Sequence, residues 1–121
     1  TVKVGRTLGY NVKPPMGDFS LEDMEKGAGP EGNEELDRVL QGTPPEVPGR
    51  PSLAQDVMKG RKTEIDYLNG LVSDKGREIG VETPYSDAVT QVLKGVESGE
   101  FEVGMDNIQR VSNIVRTYYA K

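Results

Sequence analysis

Cysteine, histidine and tryptophan are all absent from this 121-residue chain. Without cysteine there are no disulfides, thiolate metal ligands or thiol nucleophile. Without histidine there is no imidazole base and no histidine-ligated metal, so no metal site is expected. Positive charge is also short: the formal net charge is −5. An acidic chain is repelled by phosphates, so neither nucleic acid nor an anionic membrane surface is an expected partner. No window approaches the roughly 18 apolar residues of a membrane span. The start, TVKVGRTLGY, lacks the charged-then-apolar pattern of a secretion signal. The default expectation is a reduced, cytoplasmic setting.

Apolar residues make up 34% of the chain, with only two Phe. The core must therefore rest on Leu, Ile, Val, Met and Tyr, and for a chain of this length its margin is modest. With 15 Gly and 8 Pro the chain is loop-rich for a helical protein. Its size suits one domain, residues 1–121.

The periodicity is helical throughout. Val2, Val4 and Leu8 predict a short helix over 1–9, with Gly9 as its C-cap. Because the chain begins within that pattern, it is expected to be a piece of a longer protein. Pro14-Pro15 and Gly17-Asp18 predict a loop. Ser20 is placed to cap a helix over Leu21–Lys26, with Asp23 completing a capping box. A Gly/Pro-rich region follows over 27–51, with five Gly and five Pro. One helix interrupts it, Asn33–Leu40, with Leu36, Val39 and Leu40 on one side. The run GTPPEVPGRP is expected to be extended.

Ser52 sits where an N-cap belongs, and Leu53, Val57 and Met58 follow at helical spacing to Gly60. Thr63 is expected to cap a long helix running to Gly80, with Asp66 as its capping-box partner. Ile65, Leu68, Val72 and Ile79 would form its apolar face, Leu71 its edge, and Gly76 would admit a neighbouring helix. Thr83-Pro84 opens the next helix, striped by Ala88, Val89, Val92, Leu93 and Val96 and stopped at Gly99. Asp106 is placed to cap the last, with Ile108, Val111, Ile114, Val115 and Tyr118 inward. The expected class is all-α, with the last three helices as the core.

Gly27-Ala28-Gly29-Pro30-Glu31-Gly32 matches Gly-x-Gly-x-x-Gly. That motif cradles a pyrophosphate only between an apolar strand and a helix. Here a charged helical pattern, LEDMEK, precedes it, and Glu31, Glu34 and Glu35 would repel a phosphate. The match is set aside as chance.

One pattern points to chemistry: Ser52, Gln55, Asp56, Thr63, Glu64, Ile65, Asp66, Asn69 and Gly70, written S-x-x-Q-D-x(6)-T-E-I-D-x-x-N-G. It resembles the C-terminal domain of the ketopantoate reductase (2-dehydropantoate 2-reductase) family. GREIGVETP and LGYNVKPPMG resemble that family as well, and the specific likeness covers about Pro51 to Val96. The resemblance implies a helical domain like the C-terminal domain of 6-phosphogluconate dehydrogenase-type reductases. It implies reduction of 2-dehydropantoate, a 2-oxo acid, to pantoate with NADPH, on the route to coenzyme A. An N-terminal Rossmann domain, absent from this chain, would be the partner that holds the cofactor. The family serine falls on Ser52, which would bind the substrate carboxylate. The family glutamate falls on Glu64, which would orient the substrate hydroxyl and the reacting group and could also touch the cofactor. The proton would come from a lysine with an asparagine four residues later. That pairing is missing here, so the chain by itself is not expected to turn over.

Simple physics suits these roles. A serine at a helix start offers a hydroxyl beside free backbone N–H groups. A carboxylate at a helix start is favoured by the dipole; it accepts a hydroxyl well and donates a proton poorly. The competing readings are a non-catalytic helical interaction or regulatory module, with Ser52 and Thr63 as plain caps, and a paralogue acting on another 2-oxo acid. Ser52 and Glu64 lining one cleft with the 1–9 helix would favour the enzyme; Glu64 facing open solvent would favour the module. A severed domain would expose an apolar patch, which leaves a homodimer open.

Overall fold

Helix signals in the sequence translate into seven α-helices and one 3-10 turn, with no strand among the described residues. The computed structural model describes residues 1–14, 19–27, 29, 32–42 and 51–121. The helices are α1 (Val2–Thr7), α2 (Leu21–Gly27), α3 (Glu34–Gly42) and α4 (Ser52–Met58), followed by the 3-10 turn (Ile65–Tyr67). The chain continues with α5 (Asn69–Ile79), α6 (Pro84–Glu97) and α7 (Asp106–Tyr119). They sort into two compact units, Thr1–Gly49 and Arg50–Lys121.

In the first unit, α1 ends as expected at Gly9, and Val4 is buried. The predicted capping box of α2 forms. Ser20 Oγ accepts from Asp23 N–H at 3.1 Å, and Asp23 Oδ2 accepts from Ser20 N–H at 3.0 Å. The bond from Ser20 N–H foremost, and then the Ser20 hydroxyl donating to Asp23 Oδ2 at 2.9 Å, hold the Asp23 carboxyl below its usual range. Asn33 caps α3 by accepting from Leu36 N–H at 3.0 Å, and Leu36 is buried. The expected turn at Pro15–Asp18 and most of GTPPEVPGRP lie outside the described residues. So do the side chains of Val39 and Leu40 and part of the rejected glycine motif.

In the second unit, α6 is the central element. It packs against α5 and the 3-10 turn, and against α7. Its buried line is Ser86, Ala88, Val92 and Gly95. The long helix expected from Thr63 to Gly80 does not form as one piece. The chain makes the 3-10 turn, breaks at Leu68 (φ −106°, ψ −99°), and starts α5 at Asn69. The expected apolar face is also displaced. Leu68 and Leu71 are 46% and 49% exposed, whereas Gly70, Ser73 and Gly76 are buried. Small residues take the inward face because the neighbouring backbone comes too close for anything larger.

Gly76 shows that closeness. A Cβ there would lie 2.5 Å from Val81 O and 2.8 Å from Thr83 Cγ2. The close neighbour is therefore the turn after α5, not another helix. That turn is a Schellman motif. Val81 N–H donates to Gly76 O at 2.8 Å, and Gly80, at φ +70°, takes the left-handed position. The start of α6 follows the sequence reading, with Thr83 as N-cap and Pro84 at the first turn. At α7, Met105 occupies the cap position and Asp106 the first helical one. The loop before it is held by Asn107 Nδ2, which donates to Glu102 O at 2.8 Å and Gly104 O at 3.1 Å. Of the expected α7 stripe, Val115 is buried and Ile108 stays 60% exposed.

Gly76→Ala should destabilise the protein by about 1–3 kcal/mol. Its helix-propensity gain of about 1 kcal/mol is outweighed by a clash with backbone that cannot retreat. Denaturant midpoints of the two proteins check this. At the end of α7, the Tyr118 phenol bonds to the Glu82 carboxylate, which pushes its pKa up to about 12. A raised folded-state value means the contribution is complete below the unfolded value of about 10. It is then lost as pH rises to about 12. Tyr118→Phe should remove that slope from a stability-versus-pH curve.

Candidate functional site

The motif residues Thr63–Gly70 gather on the turn between α4 and α5, and most have a structural task. Thr63 is only 5% exposed. Its N–H donates to Glu97 Oε1 at 2.7 Å, and its hydroxyl donates to the same oxygen. Thr63 Oγ1 in turn accepts from Ile65 N–H at 3.3 Å. Ile65 is fully buried. Asp66 Oδ1 takes Lys94 Nζ at 2.7 Å. That bond holds the Lys94 ammonium above its ordinary value. At Gly70 a Cβ would stand 3.2 Å from Ile65 O, so a larger residue would press on the turn.

Glu64 is the exception. It sits between Thr63 and Ile65, two buried residues, yet is itself exposed. Among the described residues its side chain has no hydrogen-bond or ion-pair partner. Its backbone precedes the 3-10 turn at φ −89°, ψ 20°. The expectation that a long-helix dipole supports its carboxylate is therefore corrected: three residues of 3-10 turn carry little dipole, and α5 starts five positions later.

Ser52 also departs from its expected place. Pro51 is the N-cap of α4, and Ser52 is the first helical residue, exposed and making no capping bond. Proline fixes φ at −53° and supplies the extended cap conformation, so the boundary falls one residue early. Thr63 does not cap α5, and the Thr63–Asp66 capping box does not form, because Glu97 and Lys94 claim those two side chains. No bond joins Ser52 to Glu64 among the described residues. What ties their segments is backbone: Arg61 N–H donates to Asp56 O at 2.8 Å and folds the basic corner onto the end of α4.

Sequence reasoning missed two residues, Glu97 and Lys94. Both lie in the last two turns of α6, three positions apart, and so share a face. That spacing was the available signal, but an i, i+3 pair of opposite charge usually means a solvated helix surface. The unit also carries an apolar groove of about 530 Å³ between α4, α6 and α7, lined by residues including Leu53, Val57, Val89, Leu93 and Ile108. Neither Ser52 nor Glu64 lines it. Among the described residues no helix is long and apolar enough to cross a membrane.

Thr63→Val should destabilise the protein by about 1–3 kcal/mol, since it strands the Ile65 N–H and strips one donor from Glu97. Thr63→Ser, which keeps the hydroxyl, should recover most of the loss in the same denaturation measurement.

A 2-dehydropantoate 2-reductase of Lactococcus lactis is 52% identical over 48 residues, which is 39% of this chain and 15% of that protein. One from Aquifex aeolicus is 43% identical over 54 residues, 45% of this chain and 17% of that protein. One from Archaeoglobus fulgidus is 36% identical over 50 residues, 41% of this chain and 17% of that protein. The chain thus matches less than a fifth of the length of these curated relatives. No solved structure gives a significant match. The family model described as ketopantoate reductase PanE/ApbA C terminal matches residues 2–97, and the chain belongs to that family.

Proposed function

We propose that this chain is the substrate-side lobe of an NADPH-dependent 2-dehydropantoate 2-reductase, which reduces ketopantoate to pantoate for coenzyme A synthesis in the cytoplasm. The observation that carries this reading is the family match over residues 2–97, a span that includes the T-E-I-D segment. Within the T-E-I-D segment, Thr63, Ile65 and Asp66 are all committed to folding, and Glu64 alone is exposed and, among the described residues, without a side-chain partner. A carboxylate held on an anchored turn without a structural task is suited to a ligand. Residues 1–121 act as one substrate-side domain in this reading, and a Rossmann domain of the parent protein forms the opposite wall. Tyr67, Leu68 and Leu71 support that view: three large hydrophobic residues that follow Glu64 in the chain are exposed, as expected of a surface another lobe covers.

The cofactor, when bound, supplies the hydride. This chain's residues position the acceptor. Glu64 accepts a hydrogen bond from the substrate hydroxyl and fixes the orientation of the ketone; as a carboxylate it would also accept from a cofactor hydroxyl in this reading. Ser52, in the first turn of α4 and without a side-chain bond among the described residues, donates to the substrate carboxylate. Arg61 and Lys62 add positive charge just ahead of the turn that carries Glu64. The proton for the developing alkoxide comes from a lysine outside this chain, so the isolated chain should not oxidise NADPH.

In the full-length reductase, Glu64→Ala should lower kcat by about 10²-fold, the scale of a lost orienting contact. Ser52→Ala should raise KM for the 2-oxo acid by about tenfold, with a smaller change in kcat. Both are read from NADPH oxidation. Two observations favour a second reading, a non-catalytic helical interaction module: Glu64 faces solvent, and the apolar groove is lined by neither Ser52 nor Glu64. Under that reading both variants would match the wild type.

A further inference from the structure

The turn that carries Glu64 is tied at both ends to one face of α6. Ahead of Glu64, Thr63 gives two hydrogen bonds to the single oxygen Glu97 Oε1. Behind it, Asp66 accepts from Lys94 at 2.7 Å. The two ties differ in character. The Lys94–Asp66 pair is solvent-exposed, with the side chains 51% and 39% accessible. Such a pair is weak and readily replaced by water. The Glu97–Thr63 tie is part-buried, charge-assisted and bidentate in its donors, and Thr63 Oγ1 passes it on to the Ile65 N–H. It therefore reaches the backbone on both sides of Glu64. The turn has little regular structure of its own to replace it, being three residues of 3-10 helix ending at the Leu68 break.

We propose that Glu97 is a positioning residue for the reductase reaction: it holds the Thr63–Ile65 backbone so that the Glu64 carboxylate meets the substrate at a fixed angle. This rests on the role proposed above for Glu64. Glu97 touches no ligand and acts only through the turn.

The test is a double-mutant cycle in the full-length reductase, with thermal unfolding recorded for each variant. Glu97→Ala should lower kcat/KM for 2-dehydropantoate by about 10²-fold, mostly through kcat, as a carboxylate displaced by about 1 Å would. KM for NADPH should hold. Glu97→Gln keeps an oxygen acceptor at the same place and should come back to within about tenfold of wild type. In a Glu64→Ala background the further loss on Glu97→Ala should vanish, because there is no carboxylate left to position. An equal, additive loss in both backgrounds would overturn the positioning role while leaving Glu64 standing, and so would full activity of a folded Glu97→Ala protein. Wild-type activity of Glu64→Ala would instead refute the reading of Glu64 itself. If Glu97→Ala does not fold, the same cycle run with Glu97→Gln decides between coupled and additive losses.

Discussion

One carboxylate oxygen, Glu97 Oε1, organises the turn on which the family motif sits. Thr63 is 34 positions away in the chain, yet both its N–H and its hydroxyl end on that atom. Hydrogen bonds to a charged acceptor in a part-buried place are worth about 1.5–3 kcal/mol, more than most single contacts on a surface. The bond also draws Thr63 inward, and with it Ile65, the only large side chain that is completely buried among the described residues. Between two inward residues, the one in the middle faces water. The exposure of Glu64 follows from the anchoring of its neighbours.

The rest of the unit makes that anchoring feasible. A chain with 34% apolar residues cannot fill a thick core, and this one packs elements closely on small side chains. Gly70 lets α5 lie against Ile65 O, Gly76 lets it lie against the Val81 carbonyl, and Gly95 receives the Phe101 ring. Close approach keeps dispersion contacts numerous where bulk is scarce. Its consequence is that several large apolar side chains remain outside. Leu68 and Leu71 are half exposed, and Tyr67 is 79% exposed. In a lobe that closes over a substrate with another domain, such side chains are the contact surface.

The family was legible in the residue order. The Thr-Glu-Ile-Asp segment with Asn69-Gly70 pointed to the family, and the match over residues 2–97 bears that out. The all-helical class and the stops at Gly9 and Gly80 followed from periodicity and from glycine's tolerance of positive φ. Two readings of the same segment went astray for a common reason. Thr63 and Asp66 have the spacing of a capping box, and a local rule pairs them with each other. Glu97 offers Thr63 a stronger, charged partner, Lys94 draws Asp66 to the same face of α6, and nothing within four residues of Thr63 reveals either.

What the sequence by itself determined is the set of local choices: which segments are helical, where glycine and proline stop them, and which motif residues mark the family. Short-range sterics and side-chain periodicity suffice for these. Only the tertiary structure decided that the long helix is broken at Leu68, that α5 turns its glycines inward rather than Leu71, and that Glu64 is left without a side-chain partner among the described residues. Those outcomes depend on α6 placing Glu97 and Lys94 against a turn some thirty residues earlier in the chain. The energy of a charged contact across that separation exceeds the small preferences that local rules read.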